Sequence, residues 1–107
     1  MRREALERVR DTLPRRLNAG ILMGDGGLCI LGHMLVSAGH LPIAIYASTL
    51  ALSDPAQGES AIDAVARAYE LPRDAVLELA RCNDAAPRAE RVEAVRAVLD
   101  RLLAGPA

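Results

Sequence analysis

The hydrophobic pattern centres on residues 26–39, GGLCILGHMLVSAG, the most apolar stretch of helical length in the chain. Leu28, Leu31 and Leu35 recur at the spacing of one helix face, and further apolar residues fill much of the remaining circumference. A helix that is apolar nearly all round is buried on most sides. The pattern therefore predicts a central buried helix over about residues 27–38. Gly39 should end it, because glycine adopts left-handed backbone cheaply.

Amphipathic patterns on both sides of this stretch predict further helices. We expect them over residues 2–13, from an N-cap at Ser60 to about residue 70, from Pro72 to about residue 82, and from about Pro87 to residue 103. The predicted fold class is all-α, a compact bundle of five to six short helices around the central one. We expect a single domain over residues 1–107, with an N-terminal amphipathic helix and linker (1–20) and a core (21–107).

Residues 41–52 are the least determined part of the pattern. Their apolar content fits a buried helix or a strand, and we favour a helix because no second strand is available to pair with. Any sheet should be limited to a short extended piece around residues 43–46. The uncharged run over residues 26–53 is long enough to span a bilayer, but His40 and Pro42 divide it into pieces nearer the length of core helices. We therefore expect no membrane partner.

The composition of the chain narrows the class of protein further. Hydrophobic residues make up 51% of the chain and aromatic residues only 2%, which favours closely packed aliphatic helices. All 13 basic residues are arginine, which indicates the coding bias of a GC-rich bacterial or phage genome. The formal net charge of −1 gives no bulk attraction to nucleic acid. Arginine is frequent in residues 2–16, but interleaved Glu4, Glu7 and Asp11 favour a solvated helix face over a nucleic-acid-binding arm.

The two cysteines, Cys29 and Cys82, are too few for a disulfide framework. Both lie in apolar helical contexts, so reduced thiols in a cytoplasm are expected. The N-terminal sequence mixes charges and lacks the apolar run of a signal peptide. These observations predict a cytoplasmic protein.

Cys29 and His33 are the residues with the clearest potential for catalysis. They lie four positions apart on one helix face, and Cys29 falls in the first helical turn, where the helix dipole lowers a thiol pKa. This arrangement is typical of an activated thiolate. The alternative is a buried structural cysteine, which we favour because the sequence supplies no oxyanion hole and no orienting group.

A metal site is a second possibility. Cys29, His33, His40 and Cys82 match the number of ligands in a tetrahedral zinc site, but Cys82 has no second ligand nearby in sequence. We expect no metal and no other cofactor.

Asn83 and Asp84 close the helix that contains Cys82, where such a pair most often forms a cap and turn. If the turn folds back onto the amides of residues 26–28, Asp84 would be the anion at the start of the central helix. Cys29, Asn83 and Asp84 would then share one neighbourhood, which is our candidate binding site.

Two motifs resemble a known family. Cys29-Ile30-Leu31-Gly32, followed by Leu35, is similar to the Cys-x-x-Gly-Ala-Leu signature of a family of small bacterial and phage proteins, and Asn83-Asp84-Ala85 with the final helix resembles that family's tail. The resemblance covers roughly residues 24–103 and implies an all-α fold with Cys29 near Asp84. The chain departs from the family's pattern at two positions. His33 stands where the pattern has a small residue, and Cys82 stands where an aromatic residue is expected. The family has no assigned activity, so the resemblance implies no reaction.

The sequence predicts a small helical binding or accessory module that acts through contacts with a protein partner or through self-association. It contains no cofactor motif and no clustered acid–base groups, and it has more apolar helix faces than so short a chain needs. The first alternative is a thiol-dependent hydrolase or transferase using Cys29 and His33, with Asp84 or Asn83 as the orienting group. The second is an arginine-rich nucleic-acid binder acting through residues 2–16, although we expect no nucleic-acid partner.

Overall fold

A computed structural model describes residues 1–18, 23–24, 27–39 and 55–105 of the protein. Residues 40–54, which include His40 and the ambiguous segment, lie outside the described ranges. The described ranges contain α1 (Arg3–Asp11), α2 (Ile30–Ser37), α3 (Pro55–Tyr69), α4 (Arg73–Ala85) and α5 (Arg91–Ala104), with a 3₁₀ turn over Arg88–Glu90. The all-α prediction is confirmed. Within these ranges, no helix has both the length and the apolar character needed to cross a bilayer.

The helix α2 lies between α1, α3 and α4, while α5 packs against α4 and α1. Five residues of α2 are buried: Ile30, Leu31, Gly32, Met34 and Leu35. The remaining side faces outward, and Val36 is 37% exposed. The expected burial of this helix on most sides is therefore confirmed, although Val36 does not contribute to the core.

The core joins all five helices. Its fully buried large side chains are mainly aliphatic, as the composition predicts, with one tyrosine: Leu6, Val9, Ile30, Met34, Val65, Tyr69, Val76, Leu79, Val95 and Leu99. The spacing of these residues within each helix places them on a single inward stripe.

The start of α2 differs from the prediction. The helix begins at Ile30, because Gly27 and Leu28 pair instead with the backbone of Gly24 and Met23. This forms an antiparallel ladder of two strands, β1 (Met23–Gly24) and β2 (Gly27–Leu28), so the expectation that any sheet is limited to residues 43–46 is wrong. The carbonyl of Leu28 also accepts a hydrogen bond from the Asn18 amide at 3.0 Å. Gly27 and Leu28, which were expected to lie at the start of α2, therefore pair with β1 and with Asn18 instead.

Two helix ends use left-handed backbone. Gly39 has φ +99° after α2, as the sequence predicts for its stop. Glu70 has φ +52° after α3, and the bonds Leu71 N–H to Ala66 O (2.9 Å) and Glu70 N–H to Arg67 O (3.4 Å) form a Schellman motif. Glycine usually occupies the position of Glu70, so a side chain is held there at a steric cost.

Four other helix boundaries differ from the prediction. The helix α3 begins at Pro55, so Ser60 lies inside it rather than at its N-cap. The helix α4 continues past residue 82 to Ala85, and α5 begins at Arg91 after the 3₁₀ turn. The helix α1 is shorter than predicted: it ends at Asp11, and the Thr12 hydroxyl donates to the Arg8 carbonyl at 2.6 Å.

The segment after α1 is tied to the ends of α4 and α5. Leu17 is 2% exposed, and its carbonyl accepts a hydrogen bond from Arg91 Nη1 at 2.7 Å. Arg91 Nη2 donates to the carbonyl of Ala86 at 3.2 Å. One guanidinium therefore joins the incoming segment to the turn between the last two helices.

Candidate functional site

Asn83 occupies the point where the end of α4 meets the start of α2. It is 1% exposed and is the buried polar residue of the described core. Its Oδ1 accepts a hydrogen bond from the Ile30 amide at 3.1 Å. Its Nδ2 donates to the Asn18 carbonyl at 2.7 Å and to Asp84 Oδ1 at 3.0 Å. A single side chain thus connects α2, the segment after α1, and its own helix.

This arrangement corrects the predicted role of Asp84. The N-cap residue of α2 is Cys29, which makes no side-chain capping bond, and Asn83 supplies the missing acceptor from across the fold. The amide group suits this position because it accepts from one backbone group and donates to another. An ionised carboxylate only accepts, so it could not satisfy the Asn18 carbonyl.

Cys29 and Asp84 do lie in one neighbourhood, as the sequence predicts. Cys29 is 7% exposed and is a free thiol. Burial raises the pKa of the Cys29 thiol, and the negative charge of Asp84 raises it further. The amides of Gly32 and Leu31 act in the opposite direction but do not offset burial. At neutral pH the group is therefore a thiol and a poor nucleophile.

His33 lies one turn further along α2, and its imidazole faces α1. Its Nε2 lies 3.4 Å from the Val9 carbonyl oxygen and 3.4 Å from Thr12 Oγ1. Because the Thr12 hydroxyl already donates to Arg8, this network assigns the proton to Nε2. Burial lowers the pKa of His33, so the ring is neutral at pH 7. The Nε2 atom of His33 is thus engaged with the Val9 carbonyl and the Thr12 hydroxyl.

The metal ligands considered from the sequence are not assembled in the described residues. Among these, no three His, Cys, Asp or Glu side chains form a group that could hold a metal ion. Cys82 is a half-buried free thiol on α4.

A cleft of about 700 Å³ lies between the start of α1 and the last turns of α2 and α3. The α1 side contributes Arg2, Arg3, Glu4, Ala5 and Arg8. The other side contributes Ser37, Ala38, Ala68 and Tyr69. The sequence shows the arginine-rich segment but does not predict this cleft, because the two sides lie far apart in the chain and no local pattern indicates that they meet.

Tyr69 holds the inner end of the cleft together. Its hydroxyl donates to the Met34 carbonyl at 2.6 Å, and its own carbonyl accepts from the Arg2 amide at 2.9 Å. Burial raises the pKa of Tyr69 to about 12, although the nearby Arg8 charge and a hydrogen bond with Ser37 act against it. The three helices that line the cleft are therefore joined through one residue.

Compared with protein-family models, curated proteins and solved structures, the chain matches none of them.

Proposed function

We propose that the protein is a small helical binding module that acts through protein contacts and catalyses no reaction. The observation that carries this proposal is the cleft between α1, α2 and α3. It has the volume of a ligand-binding pocket and combines charged groups with small apolar residues. The charged side chains on its α1 side are exposed, whereas Tyr69 beneath them is buried.

The state of Cys29 supports a non-catalytic role over the thiol-dependent alternative. A catalytic cysteine is usually accessible and has a lowered pKa, because the thiolate is the nucleophile. Cys29 is buried and its pKa is raised. His33, the proposed base, directs Nε2 toward α1. Neither the raised pKa of Cys29 nor the orientation of His33 favours proton transfer between the two side chains.

We place the module in the cytoplasm as part of the same proposal. Both cysteines of the described structure, Cys29 and Cys82, are free thiols. Reduced cysteines are typical of cytoplasmic proteins.

Site-specific photocrosslinking in the source cell tests the proposal. A photoreactive amino acid replaces Ala38, which is exposed and lines the cleft, or Ala97, which is exposed on α5 outside it. We expect a polypeptide adduct at position 38 and not at position 97. The adduct at position 38 should weaken when Arg8→Gln is introduced, and it should persist with Arg81→Gln, an exposed arginine on α4.

The identity of the adduct decides between the possible outcomes. A heterologous polypeptide supports a protein partner, and an adduct of two copies of this chain supports self-association as the mode of contact. Equal crosslinking at the two positions, or none at either, contradicts the proposed function. An adduct with nucleic acid would support the arginine-rich binder instead.

A further inference from the structure

The α1 side of the cleft presents positive charge. Of the residues that the structure describes, Arg2, Arg3 and Arg8 line it, together with one carboxylate from Glu4. Arg3 also pairs with Glu7 at 3.3 Å. Arg2 and Arg8 are exposed, and within the part of the chain that the structure describes neither takes part in an ion pair. Two guanidinium groups are therefore available to a ligand, each able to hold a carboxylate in two hydrogen bonds.

The start of α1 adds donors to the same side. Arg2 occupies the N-cap position and makes no side-chain capping bond. The first amides of a helix have no intrahelical partner, and Arg3, Glu4 and Ala5 carry these amides beside the cleft. They contribute partial positive charge there in addition to the arginines.

The opposite side has the reverse polarity. It is formed by the carboxyl-terminal turns of α2, at Ser37 and Ala38, and of α3, at Ala68 and Tyr69. Helix carboxyl ends carry partial negative charge and carbonyl oxygens that lack intrahelical donors. The Tyr69 carbonyl already accepts from the Arg2 amide, so the partial negative charge offered to a ligand comes from the ends of α2 and α3 around Ser37, Ala38 and Ala68. A ligand that spans the cleft therefore meets positive charge on one side and partial negative charge on the other.

This polarity discriminates between classes of ligand. A nucleic acid is anionic along its whole backbone, so one side of the cleft and Glu4 would repel it. A peptide offers carboxylate oxygens and backbone N–H donors within a few ångströms of each other. The small residues Ala5, Ala38 and Ala68 leave room for its main chain. The cleft thus fits a short peptide with acidic side chains better than it fits a polyanion.

We infer that the cleft between α1, α2 and α3 binds an acidic peptide segment of a protein partner, with Arg2 and Arg8 holding its carboxylates. The inference rests on the proposed function that the chain is a protein-binding module, and it adds the chemistry of the recognised segment.

Selection from a random peptide library on the immobilised full chain tests this inference. We expect the selected peptides to be enriched in Asp and Glu. Labelled copies of the selected peptides should bind the unmodified chain and bind Arg8→Gln and Arg2→Gln about fivefold or more weakly, as expected for loss of an exposed charge pair. Arg81→Gln and Arg88→Gln, exposed arginines outside the cleft, are the matched controls and should bind unchanged.

Two further measurements make the result unambiguous. Circular dichroism and thermal unfolding of each variant show that it is folded, as expected because Arg2 and Arg8 are exposed. The amide resonances of Ala38 and Ala68 should shift on addition of a selected peptide, whereas those of Ala97 should not.

Several results would overturn the inference. The library could yield no binding peptide, or peptides without enrichment in Asp and Glu. The cleft and control variants could lose peptide binding equally, or oligothymidylate of the same length could compete fully with the selected peptides. If any of these occurs while photocrosslinking at position 38 still captures a polypeptide, the proposed function stands and only the acidic-peptide assignment fails. If neither experiment yields a polypeptide contact, both proposals fail.

Discussion

The side chain of Asn83 caps α2 from across the fold, through a 3.1 Å hydrogen bond between its Oδ1 and the Ile30 amide. The two residues are 53 positions apart in the chain. The same side chain donates to the carbonyl of Asn18. Three segments consequently depend on one buried amide group for their relative placement, which gives this residue a larger role in stability than its size suggests.

We predict that Asn83→Ala lowers the free energy of unfolding by about 2–4 kcal/mol. The substitution removes a helix cap and leaves the buried Ile30 amide and Asn18 carbonyl without these partners. Urea denaturation measures the change. Asp84→Ala is the control, and because Asp84 is exposed it should cost less than about 1 kcal/mol. A loss of less than 1 kcal/mol in Asn83→Ala would show that the capping bond contributes little.

A second prediction concerns Asn83→Asp, whose stability should depend on pH. Burial, the Asn18 carbonyl and the Asp84 carboxylate would each raise the folded pKa of this carboxyl, and we expect them together to outweigh the lowering effect of the Ile30 amide and to hold it above the unfolded value of about 3.9. A raised pKa favours folding in the protonated form. The variant should therefore come closest to the unmodified protein near pH 4 and lose stability relative to it as pH rises through the folded pKa.

Urea denaturation of the unmodified protein and of Asn83→Asp, from about pH 4 to neutral pH, checks the prediction. Asn83→Ala carries no titrating group at this position and is the control, so its deficit relative to the unmodified protein should stay constant with pH. A constant deficit in Asn83→Asp as well would contradict the proposed geometry.

How far the sequence predicts the structure depends on the range of the interaction. The inward stripes of α1 and α5 follow from local periodicity, and the stop at Gly39 follows from its own backbone freedom. The start of α2 does not, because the pairing of Gly27 and Leu28 with residues 23–24 competes with the helix for the same backbone groups. Local helix signals carry no information on that competition.

The candidate sites show the same limit. The sequence correctly predicts that Cys29 lies near Asp84 and is buried, but it assigns the cap to the carboxylate rather than to Asn83. The need for a group that both donates and accepts arises only from the nearby Asn18 carbonyl. Likewise, nothing local to Arg8 indicates that Tyr69 and Ala38 lie opposite it.

We predict that Glu70→Gly stabilises the protein by about 0.5–1 kcal/mol. Glu70 adopts φ +52° in the Schellman motif at the end of α3, where glycine is not penalised. Thermal unfolding measures the gain. Glu70→Ala separates loss of the carboxylate from relief of strain, since alanine keeps the steric cost and should give no comparable gain. Equal stabilisation by both substitutions would attribute the effect to charge.

We predict that Tyr69→Phe lowers the free energy of unfolding by about 1 kcal/mol at neutral pH, because it removes the hydrogen bond from the Tyr69 hydroxyl to the Met34 carbonyl. The loss is no larger because this carbonyl still accepts a hydrogen bond from the Ala38 amide. The difference should depend on pH. The folded pKa of Tyr69 is about 12 and its ordinary value is 10.0, so the neutral hydroxyl contributes stability that is present below pH 10 and is lost as pH rises towards 12.

Chemical denaturation at neutral pH and near pH 11 tests this linkage. The unmodified protein should lose its advantage over Tyr69→Phe at the higher pH. A gap that stays the same at both pH values would show that the Tyr69 hydroxyl titrates normally in the folded state.

The most direct test of a binding module against a thiol enzyme is the rate at which iodoacetamide modifies Cys29 in the folded Cys82→Ala protein at neutral pH. Burial and Asp84 raise the pKa of the Cys29 thiol, so we predict modification far slower than that of a small-molecule thiol, and rapid only on unfolding. His33→Ala should not change the rate, because the His33 imidazole faces α1. Modification of Cys29 faster than a small-molecule thiol, and lost in His33→Ala, would contradict the account and establish an activated Cys29–His33 pair.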